Sequence, residues 1–219
     1  MDLAGEIGQK GFDADRIARY VLDNPICIGR LLEGVRAPKG SARFGYAKVV
    51  RLISEQRPDL IYSFFDVFAE LNRCDNNILK WGAILVLSNL AVVDRDNKFD
   101  AIFKEYFAPI AGPVMITAAN IIGGSPKIAA AKPNLTQRIV REILKVEKAR
   151  YQSHGKPSPE CRNVAIGHAI EAFDQIFDQI DDQQTVLKFV KRQLRNSRKP
   201  VIRRAEQFLR KHPPANARP

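Results

Sequence analysis

Cysteine and histidine are scarce in these 219 residues, and each shortage closes off a class of chemistry. The three cysteines, Cys27, Cys74 and Cys161, stand far apart. They show no metal-ligand spacing, and an odd number does not build a disulfide framework. They read as free thiols of a reducing compartment, so a cytoplasmic location is expected. The three histidines, His154, His168 and His212, have no second histidine or cysteine at ligand spacing. No phosphate-binding glycine loop ends in Gly-Lys-Ser or Gly-Lys-Thr. Gly123-Gly124-Ser125 follows a helical pattern with no strand before it, so it reads as a turn. Asp94-Arg95-Asp96-Asn97 begins like a calcium loop but lacks the glycine and the closing glutamate. It reads as a connection in which Asp96 or Asn97 caps the next helix. No serine or cysteine nucleophile has a readable base. No cofactor, metal or catalytic residue is therefore expected, and a non-enzyme is favoured over an enzyme. The longest apolar run, from Gly82 to Val93, is 12 residues. A membrane-spanning helix needs about 20, so no span is expected, and the N-terminus has no basic start followed by an apolar run.

What the chain has instead is a repeat. Asn76 to Ala91 is a strongly apolar helical stretch in which Leu79, Ala83, Val86, Leu87 and Leu90 fall on one side at three- and four-residue steps. The same pattern starts at Ala42, Met115, Cys161 and Val201, giving steps of 37, 36, 46 and 40 residues. A period of this size holds two helices and two turns. One such hairpin cannot bury its own apolar face, so neighbours must stack. The irregular steps argue against tetratricopeptide or ankyrin repeats, whose periods are near 34 and 33.

An apolar residue, a cation, two spacers and a small residue stand at Leu79-Lys80-Trp81-Gly82-Ala83 and at Cys161-Arg162-Asn163-Val164-Ala165. Ala42-Arg43 begins a copy with Tyr46 at the small-residue place, and Met115 and Val201 begin copies with Ile at the cation place. This pattern resembles the second helix of a HEAT repeat. The resemblance implies an all-α, right-handed α-solenoid of about five HEAT-like hairpins over residues 13–212. A flexible lead-in is expected over 1–12 and a disordered tail over 213–219. The hairpins run from Pro25, Pro58, Lys98, Asn134 and Gln183. Pro25, Pro58, Pro113, Pro159 and Pro200 stand where helices start, because a first turn does not need the missing N–H. Longer connections are expected at Ile122–Pro133 and Gln152–Pro157. The resemblance also implies that Arg43, Lys80 and Arg162 tie neighbouring units together. Most aromatic residues read as core, with Tyr62 and Tyr106 as the candidates for a groove.

Charge is the one functional signal. The net charge is +11, yet residues 183–219 carry eleven cations against Glu206 alone, which leaves about +1 for residues 1–182. On Gln183–Asn196 the apolar residues Val186, Phe189, Val190 and Leu194 form one face, and Lys188, Lys191, Arg192 and Arg195 form another. With Lys199, Arg203 and Arg204 they are the expected partner- or anion-binding residues. Two structural readings compete. A terminal repeat needs a polar outer face, and the acidic row Glu171, Asp174, Asp178, Asp181 and Asp182 could absorb the field. Lys80, Trp81 and His168 are expected contacts on the concave groove. The leading expectation is a non-enzymatic scaffold that binds a protein partner through that face. The alternative is nucleic-acid or other polyanion binding by the basic C-terminal repeat. Less favoured is an enzyme similar to the HEAT-like DNA alkylation-repair glycosylases, with Trp81 and Tyr106 as its aromatic residues.

Overall fold

A computed structural model describes residues 1–37 and 39–213. The chain is all-α, 79% helical, with twelve α-helices and one minimal β-hairpin among the described residues. Its contacts divide into two compact units, Met1–Ile102 and Phe103–Pro219.

The first unit contains α1 (Leu3–Ile7), α2 (Ala14–Asp23), α3 (Ile28–Arg36), α4 (Ala42–Gln56), α5 (Phe65–Arg73) and α6 (Asn77–Leu90). The boundary falls within α7 (Lys98–Phe107). The second unit continues with α8 (Met115–Ala131), α9 (Thr136–Leu144), the strands β1 (Gln152–Ser153) and β2 (Lys156–Pro157), α10 (Pro159–Ile176), α11 (Gln183–Arg192) and α12 (Lys199–Lys211). The five helices that begin at Ala42, Asn77, Met115, Pro159 and Lys199 start at, or two residues ahead of, the five repeat starts. In the first unit α3 packs on α4, α5 on α6, and α4 on α6. In the second α8 packs on α10, α10 on α12, and α11 on α12. Each unit thus has helical-repeat character, with the second helix of one hairpin buried against the second helix of the next.

The apolar stripes explain this packing. Leu79, Ala83, Val86, Leu87 and Leu90 are all buried on α6, as are Ala165, Ala169 and Ile170 on α10 and Val201, Ala205 and Phe208 on α12. Burial of each large side chain contributes about 1.5–3 kcal/mol. Helix starts are capped by side-chain oxygens. Asn76 accepts from the backbone N–H groups of Ile78 and Leu79, both at 3.1 Å, and Ser158 accepts from that of Cys161 at 3.2 Å.

Several details differ from the sequence reading. Residues 1–12 include α1, whose Leu3 and Ile7 are buried and which packs on α4. The stretch Ile122–Pro133 is no long connection: α8 continues to Ala131 with Pro126 inside it. A proline there removes one helical hydrogen bond and crowds a carbonyl, but Gly124, Ser125, Pro126, Ile128 and Ala129 are buried, and the alanines favour helix. Burial of the whole face outweighs the local cost, and the Ser125 hydroxyl donates to the Ile121 carbonyl at 2.7 Å. Pro113 precedes α8 rather than opening it, and Pro25 and Pro58 open short 3-10 turns. Asp94 caps the start of α7, accepting from the N–H groups of Lys98 and Phe99 at 2.9 Å each. Asp94 also accepts from the Tyr62 hydroxyl at 2.7 Å. Desolvation first, and this bond second, push the Tyr62 phenol up to about 12. The tail lies outside the described residues from position 214.

Candidate functional site

The terminal hairpin is built so that its cations divide into two groups, one consumed and one open. On α11, Val186, Leu187, Phe189 and Val190 are buried, with the Phe189 ring edge-on to Phe173 of α10 at 5.7 Å. This orientation leaves Lys188, Lys191 and Arg192, and Arg195 in the following 3-10 turn, exposed. On α12, burial of Val201, Ala205 and Phe208 turns Lys199, Arg203, Glu206 and Arg210 outward as a second stripe.

Ion pairs take the cations that flank these stripes. Arg192 makes a two-pronged contact with Glu147, 2.7 Å on each prong. Arg204 reaches Glu171 at 2.6 Å, lying over Gly167, where an added Cβ would sit 2.7 Å from its Nη1. Lys211 contacts Asp174 at 3.0 Å, and Arg198 pairs with Glu160. Two acids of the row, Glu171 and Asp174 on α10, are therefore taken up by α12, and Asp182 caps α11 by accepting from Thr185. Lys188, Lys191, Arg195, Lys199, Arg203 and Arg210 make no ion pair among the described residues, although the charge of Lys188 contributes a little to lowering the Asp182 carboxyl. Of the seven basic residues expected to act together, Arg192 and Arg204 are thus internal ties, and the other five are open. Leu194 protrudes between Lys191 and Arg195, 40% exposed, although its spacing placed it on the apolar face. The 3-10 turn Gln193–Arg195 breaks the helical register there and buries Gln193 in its stead. The Gln193 amide contacts Glu147 at 3.4 Å. Asn196 bridges Gln193 and Asn163 at 3.0 and 3.2 Å, which fixes the turn against α10.

Asp174, like Glu171, has two partners. It meets Lys211 and, at 2.7 Å, His212 Nε2, whose ring packs on Phe177 and Phe208. Partial burial pushes its carboxyl up, but the hydrogen bonds from His212 and Lys211 outweigh this and hold it below the ordinary 3.8. A lowered carboxyl contributes stability above its unfolded value and loses it as pH falls through the folded value. Asp174→Asn is therefore expected to give a shallower loss of stability below about pH 4 than the parent chain, measured by urea unfolding across the acid range.

The expected groove residues are placed as follows. Lys80 and Trp81 are half-buried on α6 of the first unit. His168 is half-buried on α10 of the second, its Nδ1 3.3 Å from Glu171. Tyr106 is fully buried, because α7 turns it into the core beside Phe107, so the glycosylase reading loses one of its two aromatic residues. Of the motif cations, Lys80 and Arg162 lack the tie expected of them. Arg43 stacks on the adjacent Phe44 ring at 5.0 Å. Neither the Lys80 nor the Arg162 side chain has an ion-pair or hydrogen-bond partner among the described residues.

The chain-order count of charge missed a second cationic feature, in the connection before α10. Ala149, Arg150, Tyr151, Gln152, Pro157, Ser158, Pro159 and Arg162 line an open cleft of about 350 Å³. No acidic side chain lines it. Its signal was local: Lys148, Arg150, Lys156 and Arg162 stand against Glu160 alone, hidden in the near-neutral total of residues 1–182. A cleft of about 430 Å³ in the first unit is of mixed character, with Arg36, Arg43, Glu70 and Asp75 over Val35, Val67, Leu71 and Leu79. Among the described residues no group of three or more metal-ligating side chains exists, and no helix is long and apolar enough to cross a membrane. Comparison of the chain with protein-family models, characterised proteins and solved structures finds no match.

Proposed function

We propose that this chain is a non-enzymatic helical-repeat scaffold that binds an acidic protein partner, and that the terminal hairpin α11–α12 is a principal contact. The observation that carries this reading is the set of outward cations without an ion pair among the described residues, Lys188, Lys191, Arg195, Lys199, Arg203 and Arg210, with Leu194 protruding between Lys191 and Arg195. A capping face needs polarity but not one sign of charge. An exposed leucine flanked by Lys191 and Arg195 fits the pattern of protein interfaces, where an apolar centre is surrounded by a polar rim that steers the encounter. Glu206 within the α12 stripe fits a mixed protein surface better than a lattice of phosphates. The HEAT-like pattern adds the base behaviour of the architecture, and on that reading Lys80 and Trp81 on α6, and His168 on α10, are secondary contacts.

Nucleic acid is the second reading, favoured by the three- and four-residue steps from Lys188 to Lys191 to Arg195 and the four-residue step from Lys199 to Arg203. Fluorescence anisotropy with a labelled acidic amphipathic peptide and a labelled short duplex separates the two. The expected result is peptide binding that weakens roughly tenfold or more in the Lys188→Gln/Lys191→Gln/Arg195→Gln chain. Leu194→Ala should weaken the peptide as well and leave the duplex unchanged. Tight duplex binding with a steep salt slope, indifferent to Leu194, would transfer the assignment to nucleic acid. Binding of the peptide that the triple substitution leaves intact would remove the hairpin as the contact.

A further inference from the structure

We propose that the cleft ahead of α10 is a recognition site for a phosphate monoester, held between Arg150 and Arg162. The inference is independent of the terminal hairpin and its partner. Arg162 is a cation of the repeat motif, yet its guanidinium makes no ion pair or hydrogen bond among the described residues, and the same holds for Arg150. Both line one open cleft of about 350 Å³ with the polar Gln152 and Ser158, and without an acid. Four other cations of this unit are consumed, Arg192 by Glu147, Arg198 by Glu160, Arg204 by Glu171 and Lys211 by Asp174, and the open ones of α11 and α12 do not line this cleft. The acids nearest in sequence, Glu147 and Glu160, are the partners of Arg192 and Arg198 and so do not neutralise the pair.

The walls of the cleft are fixed by backbone. The Arg150 N–H donates to the Ala111 carbonyl at 3.3 Å, the Gln152 N–H to the Pro113 carbonyl at 2.9 Å, and the Ser158 N–H to the Tyr151 carbonyl at 2.9 Å. Tyr151 itself is buried and donates to the Ile110 carbonyl at 2.5 Å. The β1–β2 hairpin closes through His154 and Gly155, both at positive φ (50° and 74°), the geometry of a tight two-residue turn. Two guanidinium forks on a fixed frame match the charge and the several acceptor oxygens of a phosphate dianion better than a single carboxylate, which one fork would satisfy. Lys148 and Lys156 are exposed on the flanking segments and reinforce the positive field. The ester is carried either by a free small molecule or by a phosphorylated side chain of a partner; the recognised group is the same.

The test is titration of the full chain with inorganic phosphate, read on the arginine Nε–Hε resonances by NMR and in parallel by calorimetry. Expected are saturable shifts at Arg150 and Arg162, and binding weakened roughly tenfold by Arg150→Gln or Arg162→Gln. The Lys188→Gln/Lys191→Gln/Arg195→Gln chain should bind phosphate as the parent does. A phosphoserine peptide beside its unphosphorylated twin, and glycerol phosphate beside glycerol, then distinguish the two carriers by which gains affinity over inorganic phosphate. Absence of saturable shifts at the two arginines overturns the proposal. So does binding that survives both substitutions or is lost in the hairpin variant. The readout on the unaltered chain does not depend on any variant folding.

Discussion

Phe189→Ala is expected to lower the unfolding free energy by about 3–5 kcal/mol, the range for removing a buried phenyl ring. Phe189 is fully buried on α11 and meets Phe173 edge-on at 5.7 Å. The substitution removes the transfer energy of the ring, leaves a cavity, and loses an aromatic pair worth about 0.5–1.5 kcal/mol beyond its area. The surrounding chain has little means to collapse, since Val186 and Val190 are β-branched and restricted in their rotamers. Whole domains are stable by only about 5–15 kcal/mol, so this one ring decides whether α11 is held against α10. The measurement is denaturant unfolding, with hydrogen exchange on α10 to α12 to locate the loss. A change under about 1 kcal/mol would mean that the α11 face is not packed as described. The substitution should also abolish the partner binding assigned to the terminal hairpin, because Lys188 and Lys191 are presented only while Phe189 anchors the opposite face.

Gly112→Ala should destabilise by about 2–4 kcal/mol, combining left-handed strain with a backbone clash. Gly112 has φ of 114°, and an added Cβ would lie 2.9 Å from the Arg150 carbonyl oxygen. That oxygen belongs to backbone that cannot swing aside, because residues 110–113 and 150–152 are joined by the hydrogen bonds of Ala111 with Arg150 and Pro113 with Gln152. The same change would move Arg150 and Gln152, so phosphate binding should weaken together with stability. Gly82→Ala is the control. Gly82 sits inside α6 with nothing within 4 Å of the added carbon, so this change should stabilise by up to about 1 kcal/mol. Circular dichroism melts of the two variants test the contrast. Equal effects would show that the glycines differ in nothing but helix propensity.

How far the amino-acid pattern reached follows from which forces are local. The five second helices were legible because burying one face leaves an apolar stripe at three- and four-residue steps, and Leu79, Ala83, Val86, Leu87 and Leu90 carry it plainly. The continuation of α8 through Pro126 was not, because local propensity argues for a break and only burial against neighbouring helices overrides it. Leu194 was misplaced for a similar reason: periodicity assumed a regular α-helix, and the 3-10 turn Gln193–Arg195 rotated it outward. The Tyr62–Asp94 hydrogen bond was hidden because its partners are 32 residues apart in sequence.

Residue order by itself determined that this is a helical chain of hairpin period with a basic terminal segment, because helix periodicity and net charge depend only on which residues stand where. Tertiary structure decided which cations are open. Charge pairing depends on distance across the fold: Glu147 meets Arg192 over 45 residues and Asp174 meets Lys211 over 37, while Arg150 and Arg162 converge on one cleft and meet no acid. A Coulomb interaction falls with separation in space, not along the chain, so composition could register the excess charge but only the packing of α10, α11 and α12 could show which part of it is spent.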